Sequence, residues 1–284
     1  MKLFKIFALL LALCLISSAA CAATFTDAHG NVIELDDSLE AYAAVTLVGA
    51  DNAARQGETN LGDLWADALR WFAVSGEINA AFDEDDVKAG NDRIAVDADH
   101  VVALWNGGNL RADIAEGTFG AEALAEVLPF PNKVAVIYMT GAQLLETLEA
   151  ASQGLPYTAE TADACASLMQ VSGLTYTVDT TKAYDALEAY GDHWFTAGSV
   201  SRVRIDDVNG QPFDAEATYA VVTSNANFNG MDSSYVLKAA AEANEQSAVT
   251  TAVVRDVVFR FIAAELNHQV GEAYAAPQGR LTIL

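Results

Sequence analysis

Cationic side chains are scarce in this chain, and scarcity makes each one informative. Lys and Arg total 15 against 39 Asp and Glu, giving a formal net charge of -24. An anionic ligand can then be held only by a few guanidinium forks at chosen places. Arg55, Arg70, Arg93 and Arg111 are the candidates. Arg111 closes the run Asn106-Gly107-Gly108-Asn109-Leu110-Arg111, whose adjacent glycines permit backbone shapes and ligand approach that side chains would block. Phe130 stands between Pro129 and Pro131, which fix how its ring is presented. A polar stretch from Asn225 to Ser234 carries Phe228 and Asp232. Each also has an ordinary use: Arg55 as a solvated surface charge, Arg111 as the partner of Asp113 or Glu116, Phe130 as a core plug, and Asp232 as a turn cap.

Metal chemistry is poorly served by the same inventory. A paired-metal centre that activates water needs several clustered His, Asp and Asn ligands, and the chain has four histidines. Asp27-Ala28-His29 has the Asp-x-His spacing of a metal motif, yet no Gly-Asn-His or Gly-His-x-His follows, and Asp97-Ala98-Asp99-His100 is similarly isolated. His193 and His268 have no nucleophile at motif spacing and read as surface residues, and Cys165 reads as a small filler. No catalytic residue, metal site or cofactor is expected in this chain. Its acidity also argues against nucleic acid, which demands clustered Lys and Arg.

The elements that must position these residues follow from periodicity. Leu61, Leu64, Trp65, Ala68, Leu69 and Phe72 recur at helical spacing. Residues 82–99 read as an acidic surface loop leading into a buried strand, Val101 to Trp105, and a short helix is expected near Ala121 to Val127. Val134, Val136 and Tyr138 alternate as a strand, and Thr140 to Gln143 has the spacing of a capping box that opens a helix. Further strands are expected at Gly173 to Val178, Val200 to Asp206 and Thr218 to Thr223, the last two joined by a hairpin at Asn209-Gly210. Helices are expected at Tyr235 to Asn244 and Thr250 to Leu266, with a closing strand from Arg280 to Leu284. The irregular mixture predicts a single α+β domain with a mixed β-sheet flanked by helices.

Residues 1–23 read as an export signal, with Lys2 and Lys5 before an apolar run and small residues at its end. Export to the periplasm or medium is favoured over lipid anchoring at Cys21, where Leu is missing three positions upstream. No later stretch offers the ~20 apolar residues of a spanning helix. Residues 24–44 form an N-terminal extension, read as a hairpin with a Gly30-Asn31 turn, before a domain covering 45–284.

Several separated blocks together resemble one family. They are Arg55-x-x-Glu58-Thr59-Asn60-Leu61-Gly62-Asp63-Leu64, Asn106-Gly107-Gly108-Asn109-Leu110-Arg111, Val127-Leu128-Pro129-Phe130 and Thr140-Gly141-Ala142-Gln143-Leu144. The match runs on through Ser172-Gly173-Leu174 and the 225–232 loop to Gly279-Arg280-Leu281. In this order they resemble the substrate-binding C-terminal domain of 5'-nucleotidases. The resemblance implies that Asn106 contacts the base or ribose, that Arg55 and Arg111 face the phosphate, that Phe130 is one of two aromatic plates holding the base, and that Asp232 accepts the ribose hydroxyls. The second plate is missing, because Ala226 stands at its position; Phe228 is the nearest replacement. The resemblance further implies recognition of a nucleotide or nucleoside in extracytoplasmic nucleotide catabolism. Divalent metals would sit in a separately encoded metallophosphoesterase partner. The rival expectations are a non-catalytic exported module that captures nucleosides or nucleotides, and a domain kept for protein contacts.

Overall fold

Apolar alternation through Val101–Asn106, Lys133–Thr140 and Thr218–Ser224 sends successive side chains to opposite faces of one sheet. The computed structural model describes residues 23–26, 32–35, 40–82 and 94–284. It places those three strands inside a five-stranded sheet in the order Ala248–Val253, Lys133–Thr140, Thr218–Ser224, Val101–Asn106, Met169–Ser172. Thr218–Ser224 and Val101–Asn106 run parallel, and the other pairings are antiparallel. Ala103, Trp105, Val136 and Val222 face a core shared with the helices Asn60–Val74 and Val254–Glu265. Val102, Leu104, Ile137 and Val221 face a second core under Gly141–Ala151 and Tyr235–Ala243, which a three-stranded sheet completes: Val203–Val208, Leu174–Val178, Leu281–Ile283. The fold is α+β, with a mixed sheet flanked by helices.

Local chemistry sets the helix starts. Thr59 accepts from Gly62 N at 3.0 Å and caps Asn60–Val74. The capping box forms in full: Thr140 Oγ1 accepts from Gln143 N at 3.2 Å, and Gln143 Oε1 accepts from Thr140 N at 2.9 Å. Two expected elements differ. The helix expected from Thr250 begins only at Val254, because the β-branched run Val249-Thr250-Thr251 lies in an edge strand, where Thr250 Oγ1 also donates to the Val134 carbonyl. The Asn209-Gly210 turn forms, with φ of 50° and 78°, and Val208 bridges Gln211. Pro212 then offers no N–H to lengthen that ladder, so the two flanking strands enter different sheets.

A buried ionic knot ties the last strand to the first long helix. Arg280 Nη1 meets Asp67 Oδ1 and Nη2 donates to Asp67 Oδ2, both at 2.8 Å, while Gln278 N donates to Asp63 Oδ2 at 3.0 Å and Leu281 N to Glu58 Oε2 at 3.0 Å. Ala23–Thr26 pairs antiparallel with Val32–Leu35. The turn at Gly30-Asn31, all but Ala23 of the export signal expected over residues 1–23, and Arg93 with the middle of the acidic loop lie outside the described residues. No helix among the described residues is long and apolar enough to cross a membrane.

Candidate functional site

Two adjacent parallel strands that end together leave a crevice at their carboxyl ends, where loops diverge. Here Val101–Asn106 ends in Asn106, and Thr218–Ser224 leads into Asn225. Ser224 lies opposite Val134 and Asn106 opposite Met169, so the 129–132 turn and the 164–167 turn arrive at the same edge. The result is a cleft of about 560 Å³, which Arg55, Arg111, Phe130 and Asp232 all line. That volume lies within the usual range of small-molecule sites.

The glycine pair is required by packing, and Gly108 also lines the cleft. A Cβ at Gly107 would run into the Ala54 carbonyl, and one at Gly108 would sit 2.6 Å from the Ala166 Cβ. The absent side chains let the short helix Ala53–Gln56 and the Ala166 turn pack against the loop. Arg55 is thereby carried to the cleft. Its side chain is 15% exposed, donates to the Ala162 carbonyl at 2.9 Å and lies 3.7 Å from Asp163 Oδ1, so it is not a solvated surface charge.

Asn106 is buried just behind the cleft and donates through Nδ2 to Asp232 Oδ2 at 2.6 Å. A carboxylate only accepts, which fixes the amide: Asn106 Oδ1 is left to accept from Asn109 Nδ2, at 2.9 Å. Asp232 adopts φ 54°, a left-handed conformation that Asp tolerates. Burial pushes its carboxyl above the usual carboxylate range, while Arg55, Arg111 and the Asn106 hydrogen bond pull against that shift. Asp232 can therefore accept further hydroxyl donors within the positive field of two arginines.

Arg111 does not pair with Asp113, whose Oδ1 instead accepts from Gly49 N and Ala50 N. Its Nε donates to the Gly108 carbonyl at 2.9 Å, and its guanidinium lies over the Phe130 ring, 5.3 Å from the centroid. Phe130 is 45% exposed and so is no core plug. Phe228, by contrast, is not among the cleft-lining residues; it packs against the second core from the short helix Asn225–Phe228. Among the described residues, no three His, Cys, Asp or Glu gather so as to hold a metal ion.

Sequence reasoning missed one whole wall. Ala186–Ala189 and Phe195–Ala197 form an antiparallel hairpin whose turn brings His193 and Trp194 to the cleft. His193 Nε2 lies 3.9 Å from Asp163 Oδ2. The signal was present as four aromatics, Tyr184, Tyr190, Trp194 and Phe195, within twelve residues that have no core of their own to bury them.

Comparison with known proteins agrees with this architecture. A family model described as 5'-nucleotidase, C-terminal domain, matches residues 40–239. The trifunctional nucleotide phosphoesterase protein YfkN of Bacillus subtilis is 28% identical over 188 residues, which is 65% of this chain and 10% of that protein. A 5'-nucleotidase precursor from Thermus thermophilus superposes with a TM-score of 0.62 at 28% identity, over 86% of this chain and 39% of the solved one. The NAD nucleotidase of Haemophilus influenzae gives a TM-score of 0.57 at 15% identity, over 86% of this chain and 38% of its own, and that likeness is one of fold.

Proposed function

The chain belongs to the family of 5'-nucleotidase C-terminal domains, and from that premise we propose that its cleft recognises a 5'-nucleotide or nucleoside for hydrolysis by a metallophosphoesterase partner outside the cytoplasm. The observation that carries this reading is the convergence of Arg55, Arg111, Phe130 and Asp232 on one cleft. Two guanidinium forks suit phosphate oxygens, an exposed ring suits a base, and a carboxylate suits paired ribose hydroxyls.

In this reading the chain binds and orients the ligand. The partner holds the divalent metal ions that would activate water and neutralise the phosphoryl oxygens. The chain spans 39% of one solved relative and 38% of the other. Support for export comes from the composition of the first residues, Lys2 and Lys5 followed by an apolar run.

Calorimetry with adenosine monophosphate and adenosine tests the reading. Arg111→Ala should weaken the nucleotide by about 1 to 3 kcal/mol, the range of a lost charge-assisted hydrogen bond, and the nucleoside much less. Equal losses would move Arg111 off the phosphate side. Failure of the wild-type protein to bind either compound would sink the reading.

A further inference from the structure

Resting on the nucleotide-recognition reading, we propose that Trp194 is a base-stacking, specificity-determining residue of the cleft, delivered by the 186–197 hairpin in place of the ring absent at Ala226. Ala226 and Trp194 line the same cleft, and Ala226 presents only a methyl group there. The hairpin is fastened to the loop that carries Ala226 and Asp232: Tyr190 Oη donates to the Gly230 carbonyl at 2.8 Å. Gly230 has φ 84°, and a Cβ there would run into Tyr190 Oη, so the loop is shaped to receive the hairpin. Two more bonds hold its other arm, Ala197 N to Tyr235 Oη at 3.0 Å and Phe195 N to Gln153 Oε1 at 2.9 Å. Tyr190 and Tyr235 also pack ring to ring, with centroids 5.7 Å apart.

Packing alone accounts poorly for a tryptophan at this position. Trp65 and Trp105 leave their indole N–H groups unpartnered, but both are fully buried in the core and gain its apolar contacts. Trp194 Nε1 is likewise shielded and has no partner among the described residues, yet the residue is only half-buried. It therefore carries the cost of a lost hydrogen bond without a core residue's return. Its ring neighbour is His193, whose plane stands at 85° to the indole with centroids 5.9 Å apart, so the two rings are not stacked face to face. An indole lining a cleft that also holds Phe130 and Asp232 fits one class of ligand: a flat heteroaromatic ring joined to a hydroxylated sugar.

The test titrates adenosine, adenosine monophosphate and ribose 5-phosphate against the wild type, Trp194→Ala and Trp194→Phe, with circular dichroism to confirm folding. Trp194→Ala should weaken both adenine compounds about tenfold or more and leave ribose 5-phosphate within about twofold, since stacking acts on the base alone. Trp194→Phe should restore most of the affinity. It should also abolish the quenching of indole emission that adenosine monophosphate produces in the wild type. Unchanged or tighter adenosine binding by Trp194→Ala would overturn the proposal and mark the ring as a plug. An equal loss for ribose 5-phosphate would overturn it as general damage to the cleft. Wild-type protein that binds no adenine compound removes the recognition reading and this proposal together, whereas binding that ignores Trp194 removes this proposal alone.

Discussion

The loop 106–111 and the hairpin 186–197 reach the same cleft, and opposite means hold them there. The loop is wedged: its glycines are pressed against Ala54 and Ala166, and Asn106 is buried in a hydrogen-bond relay to Asp232. The hairpin is hung: its strand Ala186–Ala189 is exposed at every position, Leu187 is 68% exposed, and its outside attachments are a handful of hydrogen bonds and the Tyr190–Tyr235 ring contact. The wedged wall presents polar groups whose directions matter to a fraction of an ångström. The hung wall presents a flat ring, whose stacking tolerates lateral shifts. Rigidity is spent where hydrogen-bond geometry demands it.

Substitutions on the two walls should separate accordingly. Gly107→Ala forces a methyl against a backbone carbonyl and should cost about 3 kcal/mol, the upper end for overpacking, in urea unfolding. A loss below about 1 kcal/mol would mean the loop is not wedged. Phe228→Ala removes a ring packed on the second core and should cost about 2 kcal/mol of stability, less than a fully buried Phe, with adenosine affinity unchanged. A large affinity loss would return Phe228 to the cleft. Tyr190→Phe deletes one tether and should cost about 1 kcal/mol or less. Its clearer signature is faster amide hydrogen exchange at 186–197 with no change at 106–111, and faster exchange in both would break the contrast.

The same contrast explains what could be read in advance. Asn60–Val74, Val101–Asn106 and the Thr140 capping box have strong local causes, namely helical periodicity, a continuous apolar run and a paired cap. The wedged loop is visible because Asn-Gly-Gly-Asn is an unusual string, although the string does not show what its glycines pack against. The stretch from Thr250 to Val253 reads as the start of a helix because so short a segment suits either state, and only pairing with Lys133–Thr140 decides it. The Ala186-Leu-Glu-Ala segment consists of good helix formers. It becomes a strand because of where Tyr190 and Phe195 anchor the turn's two arms, a cause that lies far away in the chain and leaves no local pattern. Phe228 was singled out by nearness in sequence, whereas the second aromatic that lines the cleft beside Phe130, Trp194, comes from a segment more than thirty residues earlier.

The knot around Arg280 makes folding a proton-uptake reaction. Asp63 Oδ1 and Glu58 Oε1 are both shielded from water without a hydrogen-bond donor, and Arg280 Nε comes no nearer to Asp63 Oδ1 than 3.8 Å. Burial pushes the Asp63 carboxyl up to about 8, with Glu58 adding to the rise and Arg280 opposing it. The unfolded chain releases the Asp63 proton near pH 4 and the folded one near pH 8, so between those values the folded state binds more protons. Stability from this source is complete below about pH 4, falls as pH rises and is lost above about pH 8. Asp63→Asn keeps the shape without the titration. Its melting temperature should decline less between pH 5 and 8 than that of the wild type, with both proteins sharing the drift that the acidic surface imposes. Parallel declines would show that Asp63 is ionised in the folded protein.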